Sequence, residues 1–207
     1  MIAQQLAKQL GRPDGFVARH VLPRLWNRRN RALNDAVYAA LAPQAGDAIL
    51  EIGCGGGYLA ARLARTLTDG RMVAVDHSPE VLRFGARRYR KLMADNRLAL
   101  RQAEAEHLPF ADGEFAKVCS ANAMFYFADP PAAVREMARV LRPGGRLVLM
   151  LTHHEDLGKR SFAKHGLRLL TAAQVRTMME QAGLRVESET PGADRHRRFV
   201  CLVGAKD

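Results

Sequence analysis

The sequence predicts an α/β fold: a doubly wound, seven-stranded sheet, mostly parallel with an antiparallel last strand, plus an N-terminal helical cap. Three observations carry this. Apolar runs that read as strands alternate with segments of helical periodicity from residue 46 onward, the pattern of parallel strands joined by right-handed crossovers. The last two apolar runs are joined only by the short "PGADRH", a length that favours antiparallel pairing. Finally, "ILEIGCGGGYLA", residues 49–60, sets four glycines among five positions between a strand-like and a helix-like run.

Taken in chain order, residues 1–44 are helical in pattern and belong to no strand–helix unit. Val17, Val21 and Leu25, with Leu22 and Trp26, form an apolar stripe opposite arginines. A helix packed on the sheet domain is expected, with Pro23 interrupting it and weighing against a membrane-surface helix. Strands are predicted at 47–53, 71–76, 98–103, 115–121 and 145–152, and helices at about 57–68, 79–95 and 129–141. The last of these helices aligns Val134, Met137, Val140 and Leu141 and stops at "RPGG", a helix-ending signal. "HHEDLGKRSFAKHG" reads as a polar loop. A helix at 171–183 aligns Val175, Met178, Met179 and Ala182, and strands near 184–189 and 198–204 complete the chain. The expected organisation is a cap or lid over 1–44 and one domain over 45–207.

Bulk properties narrow the function classes. No apolar stretch approaches the ~20 residues that span a bilayer, and "MIAQQLAKQLGRPDGF" lacks the apolar segment of a secretion signal, so the cytoplasm is the expected location. Cys54, Cys119 and Cys201 are odd in number and have no paired spacing, which argues against a disulfide framework or a zinc site; no metal is expected. The net charge is +11, and 26 of the 32 basic residues are arginine. Residues 1–31 hold seven bases against Asp14 alone, and a second cluster comprises Arg83, Arg87, Arg88, Arg90 and Lys91. Such patches attract RNA, anionic lipid or acidic small molecules, although a solvated basic face is the plainer reading.

The glycines need a reason, because each loses more freedom on folding than any other residue. Sharp turns and close ligand approach to main chain are the two that apply. A strand, a glycine turn and a helix start together expose amide N–H groups and a positive helix end to a ligand. A dinucleotide turn, G-x-G-x-x-G, would need glycine where Tyr58 stands. A phosphate-binding loop would need lysine after Gly57. What the residues spell is Glu51-x-Gly53-x-Gly55-x-Gly57. Asp76 ends the strand "RMVAVD" nineteen residues after Gly57, where an acid can accept bonds from ribose hydroxyls. His77 follows, placed to lie against a purine ring.

Two further stretches complete the pattern: "QAEAEHLPFADGEFAKV", residues 102–118, and "REMARVLRPGGRLVL", residues 135–149. With them, residues 46 to about 152 resemble the class I S-adenosylmethionine-dependent methyltransferases, in their small-molecule, ubiquinone/menaquinone-methyltransferase-like branch. The likeness extends more loosely to the basic, asparagine-bearing N-terminal segment and to "GLRLLTAAQV". Ala103, Glu104 and Ala116 depart from the family's glycine and two aspartates.

The resemblance implies a Rossmann-like fold, S-adenosyl-L-methionine as cofactor and S-adenosyl-L-homocysteine as product. It implies that Gly53, Cys54, Gly55 and Gly57 present bare backbone to the methionine part, with Glu51 orienting the turn and the cofactor's ammonium. It assigns Asp76 and His77 to the nucleoside, Glu104 to the adenine amino group, the Ala105 amide to a ring nitrogen, and Asn122 to the cofactor's edge. Around the reacting methyl it places Phe125 and Tyr126 after the fourth strand, His153 and His154 after the fifth, and His20, Trp26, Asn27 and Asn30 from the cap. Of these, His153, His154 and Tyr126 are candidate catalytic groups.

The expected acceptor is a small molecule methylated on O, N or C, by a monomer or homodimer. The alternatives are an RNA methyltransferase using the basic N-terminal segment, and a protein that binds the cofactor without turnover. "SANAMFYF" at the fourth strand's end lacks the N/D-P-P-F/Y run of amino-group methylation, and "DPPA" at 129–132 reads instead as a helix start. No cysteine follows a proline, as covalent pyrimidine methylation would want, and the thiols are too few for arsenical chemistry.

Overall fold

The computed structural model describes residue 15, residues 21–164 and residues 167–207; Val17 and His20 lie outside the described residues. Seven strands form one sheet: β1 (Ala48–Ile52), β2 (Arg71–Asp76), β3 (Leu98–Gln102), β4 (Phe115–Ala121), β5 (Leu141–Thr152), β6 (Leu184–Asp194) and β7 (Arg197–Lys206). Their spatial order is β3-β2-β1-β4-β5-β7-β6. The first five strands run parallel, and β7 is antiparallel to both β5 and β6. This is the Rossmann-like sheet that the alternation of elements predicts.

The central strands are apolar on both faces because both are covered. Side chains alternate across a strand, so Ile49, Met72 and Val148 enter one core while Leu50, Val73 and Leu149 enter the other. Helices α1 (Leu22–Arg29) and α2 (Arg31–Leu41) precede the sheet, and α3 (Tyr58–Thr66) follows the glycine turn. Leu33, Val37 and Leu41 of α2 and Leu59 and Leu63 of α3 close the first core. After β2 come α4 (Pro79–Arg88) and α5 (Arg90–Ala94); α6 (Pro130–Val140) lies between β4 and β5. Past β5 lie α7 (His154–Gly158) and α8 (Ala172–Gln181). Val134 and Met137 of α6, with Val175 and Met179 of α8, close the second core. The caps are local: Asp129 accepts from the Ala132 amide at 3.0 Å to start α6, and Thr171 and Gln174 form a capping box on α8.

Four expectations change. The helix expected at 79–95 divides at Tyr89, whose φ/ψ of −112°/24° end α4. Its ring is buried beneath the glycine turn, 3.0 Å from where a Cβ on Gly57 would stand. Pro23 opens α1 rather than interrupting it, because in a first turn its missing N–H removes no helical bond. "HHEDLGKRSFAKHG" is not a plain loop: it contains α7 and a 3₁₀ turn, Ser161–Lys164, anchored by buried Leu157 and Ala163. The final hairpin is longer than expected, since 191–194 pair within β6 and only Arg195 and His196 turn the chain.

Among the described residues, no helix is long and apolar enough to cross a membrane, and no cluster of three or more His, Cys, Asp or Glu could hold a metal. The three cysteines are buried and unpaired.

One arginine fixes the loop that carries Glu104 and Ala105 into the site. Arg139 donates to the Phe110 carbonyl at 2.9 Å and the Leu108 carbonyl at 3.0 Å, and pairs with Glu136 and Asp112 at 2.7 Å each. Glu136 in turn accepts the Leu108 amide at 2.9 Å, and Arg139 holds its carboxyl below the usual range. Replacing Arg139 by methionine should lower stability by about 1.5–3 kcal/mol, the range for hydrogen bonds to a charged group. Urea unfolding of both proteins, with equal m-values, checks this.

Candidate functional site

The site forms where β1, β2 and β4 reach their carboxyl ends, the edge at which open α/β sheets bind ligands. Beyond β1 the chain turns through Gly53, Gly55 and Gly57 at φ of +72°, +52° and +71°, conformations that side chains seldom adopt. Space adds a second demand. A Cβ on Gly53 would run into Ala123, and one on Gly56 into Asn27 and the Pro23 carbonyl. The Gly53 and Cys54 amides donate to the Val75 carbonyl at 2.9 and 3.1 Å, tying the turn to β2.

Two carboxylates are buried beside this turn. Asp76, 7% exposed, accepts the Gly55 amide on one oxygen and the Ser78 amide on the other, both at 3.0 Å. Burial raises its pKa above the ordinary value although the Ser78 amide, His77 and the Gly55 amide pull the other way. His77 Nδ1 stands 3.5 Å from Asp76, and its Nε2 is buried without a partner. Glu51 is only 3% exposed, and its Oε2 has no hydrogen-bond partner. Burial pushes the Glu51 carboxyl up to about 8, with the charge of Asp76 adding to the rise and a backbone bond at Ala60 opposing it. A buried acceptor left open is costly, and a cation relieves it.

Helix α1 lies across the turn. Asn27 Nδ2 donates to the Gly56 carbonyl at 3.1 Å, and Gly55 packs against the Trp26 ring, which a Cβ there would meet at 3.4 Å. On the sheet side Asn122 follows β4 at φ +59°, a region that asparagine tolerates. Its Oδ1 is fixed by the Thr152 amide at 3.1 Å and hydroxyl at 2.7 Å. Burial pushes the Tyr126 hydroxyl up to about 12, against a smaller lowering by Arg197, so at neutral pH it keeps its proton and can donate a hydrogen bond.

These elements enclose a cavity of about 310 Å³. Its walls bring together Glu51, Gly53, Cys54, Gly55, Asp76, His77, Glu104, Ala105 and Asn122, with Trp26, Asn27, Asn30, Phe125 and Tyr126. Gly57 is not on the wall; it backs onto Tyr89 and starts α3. His153 and His154 are not on it either. Their rings lie against each other with centroids 4.6 Å apart, and His153 Nδ1 is 3.9 Å from Glu155. His20 lies outside the described residues.

The cavity also holds residues that the sequence did not single out: Gly56, Asn34, Thr152, Arg29, Arg160, His196 and Arg197. The last two sit in the segment read as a link between strands. Because β7 is antiparallel, its first residues fall beside the carboxyl end of β5, where Phe199 pairs with Thr152. The basic run "DRHRRF" was the available signal, but only strand pairing places it.

Residues 50–149 match the family described as "Methyltransferase domain". The methyltransferase GfsG of Streptomyces halstedii is 37% identical over 117 residues, 56% of this chain and 42% of that protein. The biotin biosynthesis bifunctional protein BioCD of Bordetella avium is 33% identical over 190 residues, 87% of this chain and 39% of that protein. The chain spans about half the length, or less, of these curated relatives. Among solved structures, a methyltransferase in complex with the Haloferax volcanii Trm112 activator superposes with a TM-score of 0.78 at 23% identity, covering 91% of this chain and 95% of that one; at that identity the likeness is one of fold. The residues present fit S-adenosylmethionine: an open, buried carboxylate suits its ammonium, and the glycine turn leaves main chain bare for its methionine part.

Glu51 gives the site a pH signature. Its carboxyl is largely protonated below about 8 in the free protein, whereas pairing with an ammonium requires the ionised form. Affinity for S-adenosylhomocysteine should therefore rise with pH toward about 8 and then level, with proton release on binding at neutral pH. Calorimetry in two buffers of different ionisation enthalpy reads that release, and Glu51→Gln should remove it. Stability carries the matching sign: a folded pKa above the unfolded one makes the Glu51 contribution fall as pH rises from about 4.5 through about 8.

Proposed function

We propose that the chain, whose residues 50–149 match a methyltransferase domain, is a class I S-adenosylmethionine-dependent methyltransferase that transfers the cofactor's methyl group to a small molecule bound in the same cavity. The observation that carries this reading is the buried, unpartnered Glu51 oxygen in one cavity with the glycine turn and Asp76. Glu51 takes the ammonium, and the backbone of 53–56 supports the methionine part. Asp76 accepts from the ribose hydroxyls with lone pairs left over from the Gly55 and Ser78 amides. His77, Glu104 and the Ala105 amide recognise the adenine.

When bound, S-adenosylmethionine supplies a methyl group on a sulfonium, open to in-line displacement. The protein's own task is to hold a nucleophile about 3 Å from that carbon and in line, which lowers the barrier by several kcal/mol. Asn122, Phe125 and Tyr126 from the sheet side and Trp26, Asn27 and Asn30 from α1 and its end form the acceptor's enclosure. Tyr126 acts as a hydrogen-bond donor to the acceptor rather than as a base. His153 and His154, off the cavity wall, have no role in this scheme. A cap over 1–44 and a methyltransferase domain at 45–207 belong to the same reading; of that cap, α1 lies across the glycine turn as the lid, and α2, with Leu33, Val37 and Leu41 fully buried, is its fixed base.

Wild-type protein should bind S-adenosylmethionine and S-adenosylhomocysteine at micromolar Kd, roughly −8 kcal/mol. Asp76→Ala should weaken binding by about 1.5–3 kcal/mol through loss of charge-assisted hydrogen bonds. Gly55→Val should abolish it. Unchanged calorimetric affinity in Gly55→Val would overturn the assignment of the turn, and NAD binding in place of S-adenosylmethionine would overturn the family's chemistry for this chain.

A further inference from the structure

The cavity is electrically polarised along its wall. The acidic groups on it, Glu51, Asp76, Glu104 and Glu106, come from β1, β2 and the loop after β3, while Arg29, Arg160 and Arg197 come from the end of α1, the segment after α7 and the start of β7. Arg197 is the most constrained of the three, with a side chain only 13% exposed. Its Nη2 donates to the Arg29 carbonyl at 2.6 Å and to Asn30 Oδ1 at 2.7 Å, and its Nη1 reaches the Thr152 hydroxyl at 3.5 Å. Its Nε makes no hydrogen bond, and the nearest carboxylate, Asp194, stands 3.7 Å away. Among the described residues, neither Arg29 nor Arg160 has a carboxylate within ion-pair distance, and Arg160 donates instead to the His196 carbonyl at 3.3 Å.

Positive charge gathered around a largely buried guanidinium such as Arg197 is unfavourable without a counter-charge. Burial and the charges of Arg160 and Arg29 lower the pKa of Arg197, and only Asp194 opposes them. A guanidinium is the side chain best matched to carboxylate and phosphate oxygens, and the Tyr126 hydroxyl on the same wall adds a neutral donor. A second depression, of about 500 Å³, shares Arg160, His196 and Arg197 with the cavity and is lined also by Lys159 and Arg198, both paired with Asp156, and by Asp194. Four basic side chains against two carboxylates leave this rim with an excess of positive charge, which draws anions toward the opening.

We propose that the methyl acceptor carries an oxyanion, a carboxylate or phosphate, which Arg197, Arg160 and Arg29 bind at the end of the cavity away from Glu51 and Asp76. This rests on the methyltransferase reading, since it assigns the space left beside the cofactor to the acceptor. The two ends then sort the ligands: the acidic end takes a cofactor with net positive charge and repels the acceptor's anion, which the basic end holds. Arg197 also ties the anion to the lid, because the Arg29 carbonyl and Asn30 side chain that steady it belong to the end of α1.

The test uses succinate and inorganic phosphate as probes, with sodium chloride at matched ionic strength as control, on the full chain with and without S-adenosylhomocysteine. Trp26 is the only tryptophan and lines the cavity, so its fluorescence reports occupancy. A saturable change that chloride does not produce is expected, weakened about tenfold in Arg160→Ala and at least as much in Arg197→Gln, the loss of one charge-assisted contact. The stronger of the two probes identifies carboxylate or phosphate as the group. Should Arg197→Gln fail to fold, Arg160→Ala, a partly exposed surface change, carries the test alone. A response equal to that of chloride, or one unaltered by Arg160→Ala, overturns the proposal. Calorimetry with S-adenosylhomocysteine on the same samples reports separately on the methyltransferase reading, so a failure of either is distinguishable from a failure of the other.

Discussion

The site depends on the way Asp76 spends its two oxygens. One accepts the Gly55 amide and the other the Ser78 amide, so a single carboxylate at the end of β2 holds both the glycine turn after β1 and the start of α4. A carboxylate this buried is tolerable only when hydrogen-bonded, and a glycine turn at positive φ is held only when something fixes it. Each solves the other's problem. The Gly53 and Cys54 amides on the Val75 carbonyl reinforce the same junction one residue earlier. With the turn fixed there, Glu51 is left buried with an oxygen open.

Around that junction the fold distributes charge by strand direction. The parallel strands deliver their carboxyl ends, and with them Glu51, Asp76 and Asn122, to one edge of the sheet. The antiparallel β7 delivers its amino end, with Arg197, to the same edge. Helix α1 spans the two: Asn27 bonds to Gly56 near the acidic groups, and the Arg29 carbonyl and Asn30 receive Arg197 near the basic ones. Helix α1 is thus hydrogen-bonded at both ends of the cavity, which links it to both ligands in the proposed reaction.

Much of this was legible in the residue order, and the part that was not has a common cause. The glycine turn, the Asp76 position at the end of the second strand and the Asp129 helix start are written locally, because backbone conformation at a turn and the capping of a helix depend on residues a few positions apart. The alternation of apolar runs likewise gives the parallel sheet, since strands covered on both faces must be apolar throughout. His153 and His154 follow a strand that ends at the site, yet adjacency in sequence does not put a side chain on the cavity wall. The division of the helix at Tyr89 depends on the ring packing beneath Gly57, and no local signal announces it.

By itself, then, the sequence determined the fold class, the glycine turn and its paired acids, and the resemblance to the methyltransferase domain that residues 50–149 match. Tertiary structure alone decided that Arg197 meets Asn30, 167 residues away, that α1 covers Gly55 and Gly56, and that Gly57 serves packing while Gly56 faces the cavity. The physical reason is register. A side chain's face and neighbours follow from strand pairing and helix docking across the whole chain, and a shift of one residue in β7 would send Arg197 to the opposite face.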